Sequence, residues 1–191
     1  AATDSANGSI DAHSSAQASN AGDQPVIVSA SAVASLPGGA VGLGLVKGSS
    51  LTGNVTVSAF QTGADGGSGF ADGGASVLNN AISGSTSGTL SLVQNATGGN
   101  ATDFSHHGFG GNARSVLALN GINASLINAS ANATAGDGNL ADEGGAPAGG
   151  AAVASAVMTG TQEVVASAIA KGGKSLGGIL RGGGTASAGG G

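Results

Sequence analysis

Along much of the chain, apolar and small polar residues alternate over short stretches that end on glycine. In "LTGNVTVSAFQTGADGG" (51–67), Leu51, Val55, Val57 and Ala59 alternate with Thr52, Asn54, Thr56 and Ser58. A period of two is that of a β-strand, whose side chains point to opposite faces in turn. "AVGLGLVKG" (40–48) places Val41, Leu43 and Leu45 on one face in the same way. Before it, "QPVIVSASAVASL" (24–36) is a β-rich apolar run closed by the turn signal Pro37-Gly38-Gly39. The alternation returns in "GTLSLVQNATGG", in "NARSVLALNGINASLINASANATAGDG" and in "AAVASAVMTGTQEVVASAIAKGG". Helix is disfavoured throughout by the density of Gly, Asn, Ser and Thr. The stretch from Glu163 onward, where Val164, Ala168 and Ser175 fit one helical stripe, is read as strand because it parallels "SLINASANATAGDG" position by position.

Two markers recur. A strand-ending turn falls near Gly66, Gly99, Gly136 and Gly173, at spacings of 33, 37 and 37 residues. A Gly-Gly pair stands shortly before Ser76, Ser115 and Ser155, which are 39 and 40 residues apart. Self-similarity at such a period predicts a repeat architecture. Each unit is expected to hold two strands joined by a short turn, followed by a Gly/Asp/Asn-rich loop. "NNAISGSTSGT", "NGIN" and "TGTQ" are the short turns, and Asn120-Gly121 is a hairpin signal because both residues tolerate positive φ.

The expected fold class is therefore all-β, a repeat architecture of paired short strands and Gly-rich loops, either β-solenoid-like or a stacked-sheet filament subunit. Residues 1–24 read as a flexible N-terminal arm and 25–48 as apolar strands that include a candidate donor strand. Residues 49–180 form the β-repeat region, three to four units of 33–40 residues, and 181–191 a Gly-rich tail.

Composition sharpens this picture. The 191 residues include 39 Gly and no Cys, Trp or Tyr, and only 8% are charged. Average chains carry about 7% Gly and about 25% charged residues. Large side chains are too scarce for a thick core, yet a mean hydropathy of +0.22 is too high for a solvated disordered chain. Thin, closely stacked layers of small side chains satisfy both constraints. A net charge of −5 leaves no basic patch for nucleic acid. No apolar run reaches the roughly 18 residues a membrane helix needs. The opening "AATDSANGSIDAHSSAQ" has neither an initiator Met nor a basic leader and is read as a mature chain after signal-peptide removal.

Candidate chemistry is sparse. "DFSHHGF" offers Asp103, His106 and His107 as metal ligands, but adjacent His on a strand point to opposite faces, and a solvated loop is the plainer reading. Asp65, Asp72, Asp137, Asp142 and Glu143 resemble calcium-loop composition without its Gly-Gly-x-Gly-x-Asp spacing. No single loop offers about six to eight oxygen ligands, so neither calcium nor any other cofactor is expected. The glycine runs "GGAVGLG" and "GGGTASAGGG" are not followed by a phosphate-binding Lys-Ser/Thr, no positioned nucleophile is read, and no enzyme is expected. Sequons stand at Asn7, Asn54, Asn95, Asn100, Asn123, Asn128 and Asn132, most of them at repeat-related strand positions. Gln61 and Gln94, within a wider set with Asn95, Asn132 and Gln162, are candidates for an amide ladder between stacked strands.

"QNATGGN", "GGNARSVLALN" and "ANATAGDGN" resemble the Gly/Ala/Ser/Asn-rich exported β-repeat proteins of bacteria, over roughly residues 50–175. "GINASLINASANATAGDGNLA" is also similar to the repeats of Fap-type functional amyloid subunits, although the strict Gln/Asn spacing of curli-type repeats is not held. The resemblance implies an extracellular fibre or matrix protein. The expected function is a structural subunit, secreted or at the cell surface, that polymerises with itself by strand pairing and contacts neighbouring filaments or the cell. The strands expected to assemble carry Val26, Ile27, Val28, Val33, Val55, Val57, Leu90, Leu92, Val116, Leu117, Leu119, Leu126, Val153, Val157 and Val164. The alternative is a monomeric β-solenoid adhesin or ice-binding protein; Thr52, Thr56, Thr62, Thr89, Thr97 and Thr134 do not read as aligned T-x-T ranks, which counts against ice.

Overall fold

The computed structural model describes residues 2–5, 11–37, 40–67, 72–102, 108–139, 148–176 and 186–190. Strands β1 (Ala2–Ser5), β2 (Asp11–Asn20), β3 (Val26–Val33), β4 (Ala40–Ser50) and β5 (Val55–Thr62) come first. They are followed by β6 (Ser76–Asn79), β7 (Ile82–Ser85), β8 (Thr89–Thr97), β9 (Ala113–Ile122) and β10 (Leu126–Thr134). The last are β11 (Gly138–Asn139), β12 (Ala152–Gly160), β13 (Glu163–Lys171), β14 (Ser175–Leu176) and β15 (Ala186–Gly190). The protein is all-β, with no helix among the described residues.

The strands form a long sheet in the order β1-β3-β5-β8-β10-β13, a second in the order β15-β12-β9-β6, a third of β2-β4-β7, and the small pair β11-β14. Every ladder is parallel. Partners lie far apart in the chain: 28 residues separate Ala2 from Ala30, 35 separate Val55 from Leu90, and 37 separate Ile127 from Val164.

Three expectations are corrected here. The short turns do not make hairpins. β9, whose last residues include Asn120-Gly121, and β10 belong to different sheets, as do β12 and β13 around "TGTQ". Gly121 does take positive φ (68°), yet it turns a corner between sheets. The reason is burial: a hairpin would put both apolar faces on one side of one sheet, whereas two facing sheets cover each other. Leu117 of β9 and Ala156 and Met158 of β12 accordingly share one core cluster with Ile127, Ala129 and Ala131 of β10. Secondly, the expected N-terminal arm contains β1 and β2, which pair with β3 and β4. Its small residues carry too little apolar surface to announce a strand. Thirdly, β3 and β4, the expected donor segment, lie inside their own sheets, β3 between β1 and β5 and β4 between β2 and β7. Strands already paired within the chain have no free backbone to donate.

The core is thin. Leu90, Leu92, Leu117, Ile82 and Ile127 are fully buried, each contributing about 1.5–3 kcal/mol. Much of the rest of the layer is alanine, including Ala30, Ala59, Ala131 and Ala156.

Candidate functional site

The residues expected to drive assembly divide by face. Val26, Val28, Val55, Val57, Leu90, Leu92 and Leu117 point into the core and are buried. Val116, Leu119, Leu126 and Val164 are half-buried. Ile27, Val33, Val153 and Val157 are outward and exposed, Ile27 by 77%. They occupy alternate strand positions, so only part of the set can bind anything outside the molecule.

The outward face of the long sheet is laid out in ranks by its register. One rank runs Val33, Thr62, Thr97, Thr134, Lys171 across five adjacent strands. Three threonines therefore do align, although without a second threonine rank beside them. The next rank runs Ser31, Phe60, Asn95, Asn132, Ile169, and here Asn132 Nδ2 donates to Asn95 Oδ1 at 2.7 Å. This is the amide ladder, formed by asparagines.

Gln61 and Gln94 do not form one. In the observed register Gln61 sits opposite Ala96 and Gln94 opposite Ala59, because pairing advances by 35 residues and these two are 33 apart. Gln94 is instead a fully buried bracket. Its Oε1 accepts from Ala81 N at 3.0 Å, and its Nε2 donates to Leu78 O, Ser115 Oγ and Val116 O at 3.1–3.2 Å. Gln61 Nε2 reaches Val41 O at 3.4 Å, while its buried Oε1 has no partner.

The loops spring from a column of close backbone contacts. The N–H groups of Gly74, Gly99, Gly111, Gly136, Gly150 and Gly173 donate in turn to the carbonyls of Ala64, Gly74, Gly99, Gly111, Gly136 and Gly150, at 2.7–3.0 Å. A Cβ on Gly136 would overlap the Gly99 carbonyl, and one on Gly173 the Gly136 carbonyl. Only glycine permits this approach. Beside the column, Asp65 Oδ1 accepts from Asn100 N, Asn100 Oδ1 from Asp137 N, and Asp137 Oδ1 from Lys174 N, all at 2.7–2.9 Å. Asp72 Oδ1 likewise accepts from Phe109 N. These carboxylates cap the backbone of the neighbouring strand's loop. Sequon asparagines do similar work: Asn54 Oδ1 accepts from Thr89 N, and Asn123 Oδ1 from Thr161 Oγ1. The signal for all of them was the 35–39-residue recurrence applied to Asp and Asn as one class.

Asp103, His106, His107, Asp142 and Glu143 lie outside the described residues. Among the described residues no three His, Asp or Glu converge as a metal site, and no helix is long and apolar enough to cross a membrane.

Among the described residues no strand pairs with the far edge of β13. Its inward residues Val164, Ala166 and Ala168 pack on the core yet remain only partly covered, and charge stands only at its ends, Glu163 and Lys171. On its outward face Val165 and Ile169 are 49% and 61% exposed. No family model, no curated protein and no solved structure matches this chain.

Proposed function

We propose that the chain is a β-solenoid whose coils stack through parallel pairing, and that it serves as a structural subunit of a secreted, self-assembling extracellular filament or matrix. The observation that carries the reading is the edge of β13, with which no strand pairs among the described residues. Edge strands of stable monomers are blunted by lysine, proline or inward charge. β13 has none along its middle and leaves half-covered apolar residues beneath the edge. A second copy adding a parallel strand there would cover Val164, Ala166 and Ala168 and satisfy the open backbone groups. The glycine column supports the same reading, since its hydrogen-bonded zigzag continues by translation along the stack.

Concentration-dependent filaments in negative-stain electron microscopy are the expected result. Ala168→Lys, which points a charge inward at the edge, should raise the concentration needed for filaments at least tenfold while the folded far-UV spectrum persists. Dispersed particles from the unaltered chain at millimolar concentration would refute the filament. The aligned Thr62, Thr97 and Thr134 favour a second reading, a monomeric solenoid that binds a surface through its long flat face.

A further inference from the structure

β6 and β7 are one line of chain interrupted at Asn80, a non-glycine residue at positive φ (47°). Before the break β6 pairs with β9, from Ser76 opposite Ala113 to Asn79 opposite Val116. After it β7 swings to the other side and pairs with β4, Ile82 opposite Val46 and Ser85 opposite Ser49. Continued along β9, the first register would have set Ile82 opposite Leu119 and Ser85 opposite Ile122. Among the described residues no backbone hydrogen bond joins them.

The result is a slot within the sheet layer, shut at both ends. At one end Asn80 N donates to Val116 O at 2.8 Å and Ala118 N to Asn80 Oδ1 at 2.6 Å. At the other, Ser125 N donates to the carbonyls of Ser87 and Gly88 at 3.2 and 3.0 Å. The cavity between has a volume of about 620 Å³, within the usual range of ligand pockets, about 300–1,000 Å³. Ser83, Gly84 and Ser85 line one wall, Leu119, Asn120 and Ile122 the other, and no lining residue is charged. Asn80 and Gln94 build the fork, with Gln94 Oε1 taking the Ala81 N–H that leaves the ladder.

We infer that this slot is a binding site for an extended, uncharged polypeptide segment of small residues, about four long, paired as a strand along the open edge of β7. β7 ends its sheet, and since Ala81 O accepts from Val46 N of β4, the N–H and C=O groups of Ile82 and Gly84 face the slot, where an extended backbone supplies the matching groups. Across the slot the chain leaves regular pairing: Gly121, at positive φ, donates its N–H to Thr159 Oγ1, and Ile122 O accepts from Thr161 N. The uncharged lining selects against charged side chains, whose desolvation nothing there would offset. No aromatic ring lines the slot for stacking a sugar. This inference does not rest on filament formation.

The test is amide hydrogen exchange on the intact chain with the blocked peptide acetyl-AVAS-amide, the sequence of residues 152–155. Saturating peptide should slow exchange at least tenfold at Ile82 and Gly84 of β7. Methylating alternate peptide nitrogens should abolish that protection. Ser83→Glu and Ser85→Glu, both on the solvent side of the fold, should each weaken binding at least tenfold without changing the unfolding midpoint. Protection at β13 alone, equal protection by the methylated peptide, or binding of cellohexaose in place of the peptide would each overturn the inference, as would no protection at millimolar peptide.

Discussion

At the scale of residues, the fold depends on a few polar groups that replace missing backbone bonds. Gln94, fully buried, takes the Ala81 N–H that leaves the ladder, so Gln94→Leu keeps the volume and strands that group, while Val116 O keeps its bond from Asn80 N. We expect a loss of about 1–3 kcal/mol in urea unfolding. Glycine positions separate in the same assay. Gly136→Ala drives a methyl into the Gly99 carbonyl and should cost about 2–4 kcal/mol. Gly121→Ala has open space around it and only its φ of 68° to pay for, about 1 kcal/mol. For the Asn95–Asn132 bond, a double-mutant cycle with alanine should return a coupling of about 0.5–1.5 kcal/mol. The glycine spacing near 37 residues was legible in the chain; the role of Gln94 was not, because its partners lie on residues 78, 81, 115 and 116, which no local pattern links to it.

At the scale of elements, alternation identified most strands, but in β4 a register shift exposes Leu45, expected beside Val41 and Leu43, and buries Val46 instead. In β5 the faces were legible. Alternation predicted Val55 and Val57 inward and Thr56 and Ser58 outward, and their burial follows that order. It could not name the partner strand, since period two is the same in a hairpin and in a parallel ladder. The choice fell to parallel pairing at long range, and the turn residues Asn120 and Gly121 were left to form corners. β2 escaped notice for a different reason: "DAHSSAQASN" holds only alanines as apolar residues, too little contrast to read as alternation. β13 is the element on which the proposed assembly turns. If its edge drives stacking, Ala168→Lys suppresses filaments, whereas Ile169→Lys, on the outward face, should leave filament length within about twofold of the unaltered chain.

At the scale of the whole molecule, the partners in the ladders are separated by at least 28 residues, from Ala2–Ala30 upward. Loop closure must therefore precede almost every rewarding contact. Refolding from urea should be slow, with a half-time of about one second or longer by stopped-flow. A microsecond phase carrying the full amplitude would contradict the ladder order. The thin core has a related consequence: stability is spread over many alanine and glycine contacts and backbone bonds, so steric insertions at the glycine column should outweigh the loss of any single alanine side chain.

The order of amino acids was enough to specify an all-β chain, the inward and outward positions of its clearer strands, and the spacing near 37 residues, because side-chain alternation and glycine recurrence are local properties. Which strands pair, which sheets face each other, and where the sheet splits at Asn80 were decided only in three dimensions. There, apolar faces on different sheets had to cover one another, and backbone groups freed by that choice had to find Gln94, Asn80 or a neighbouring glycine carbonyl.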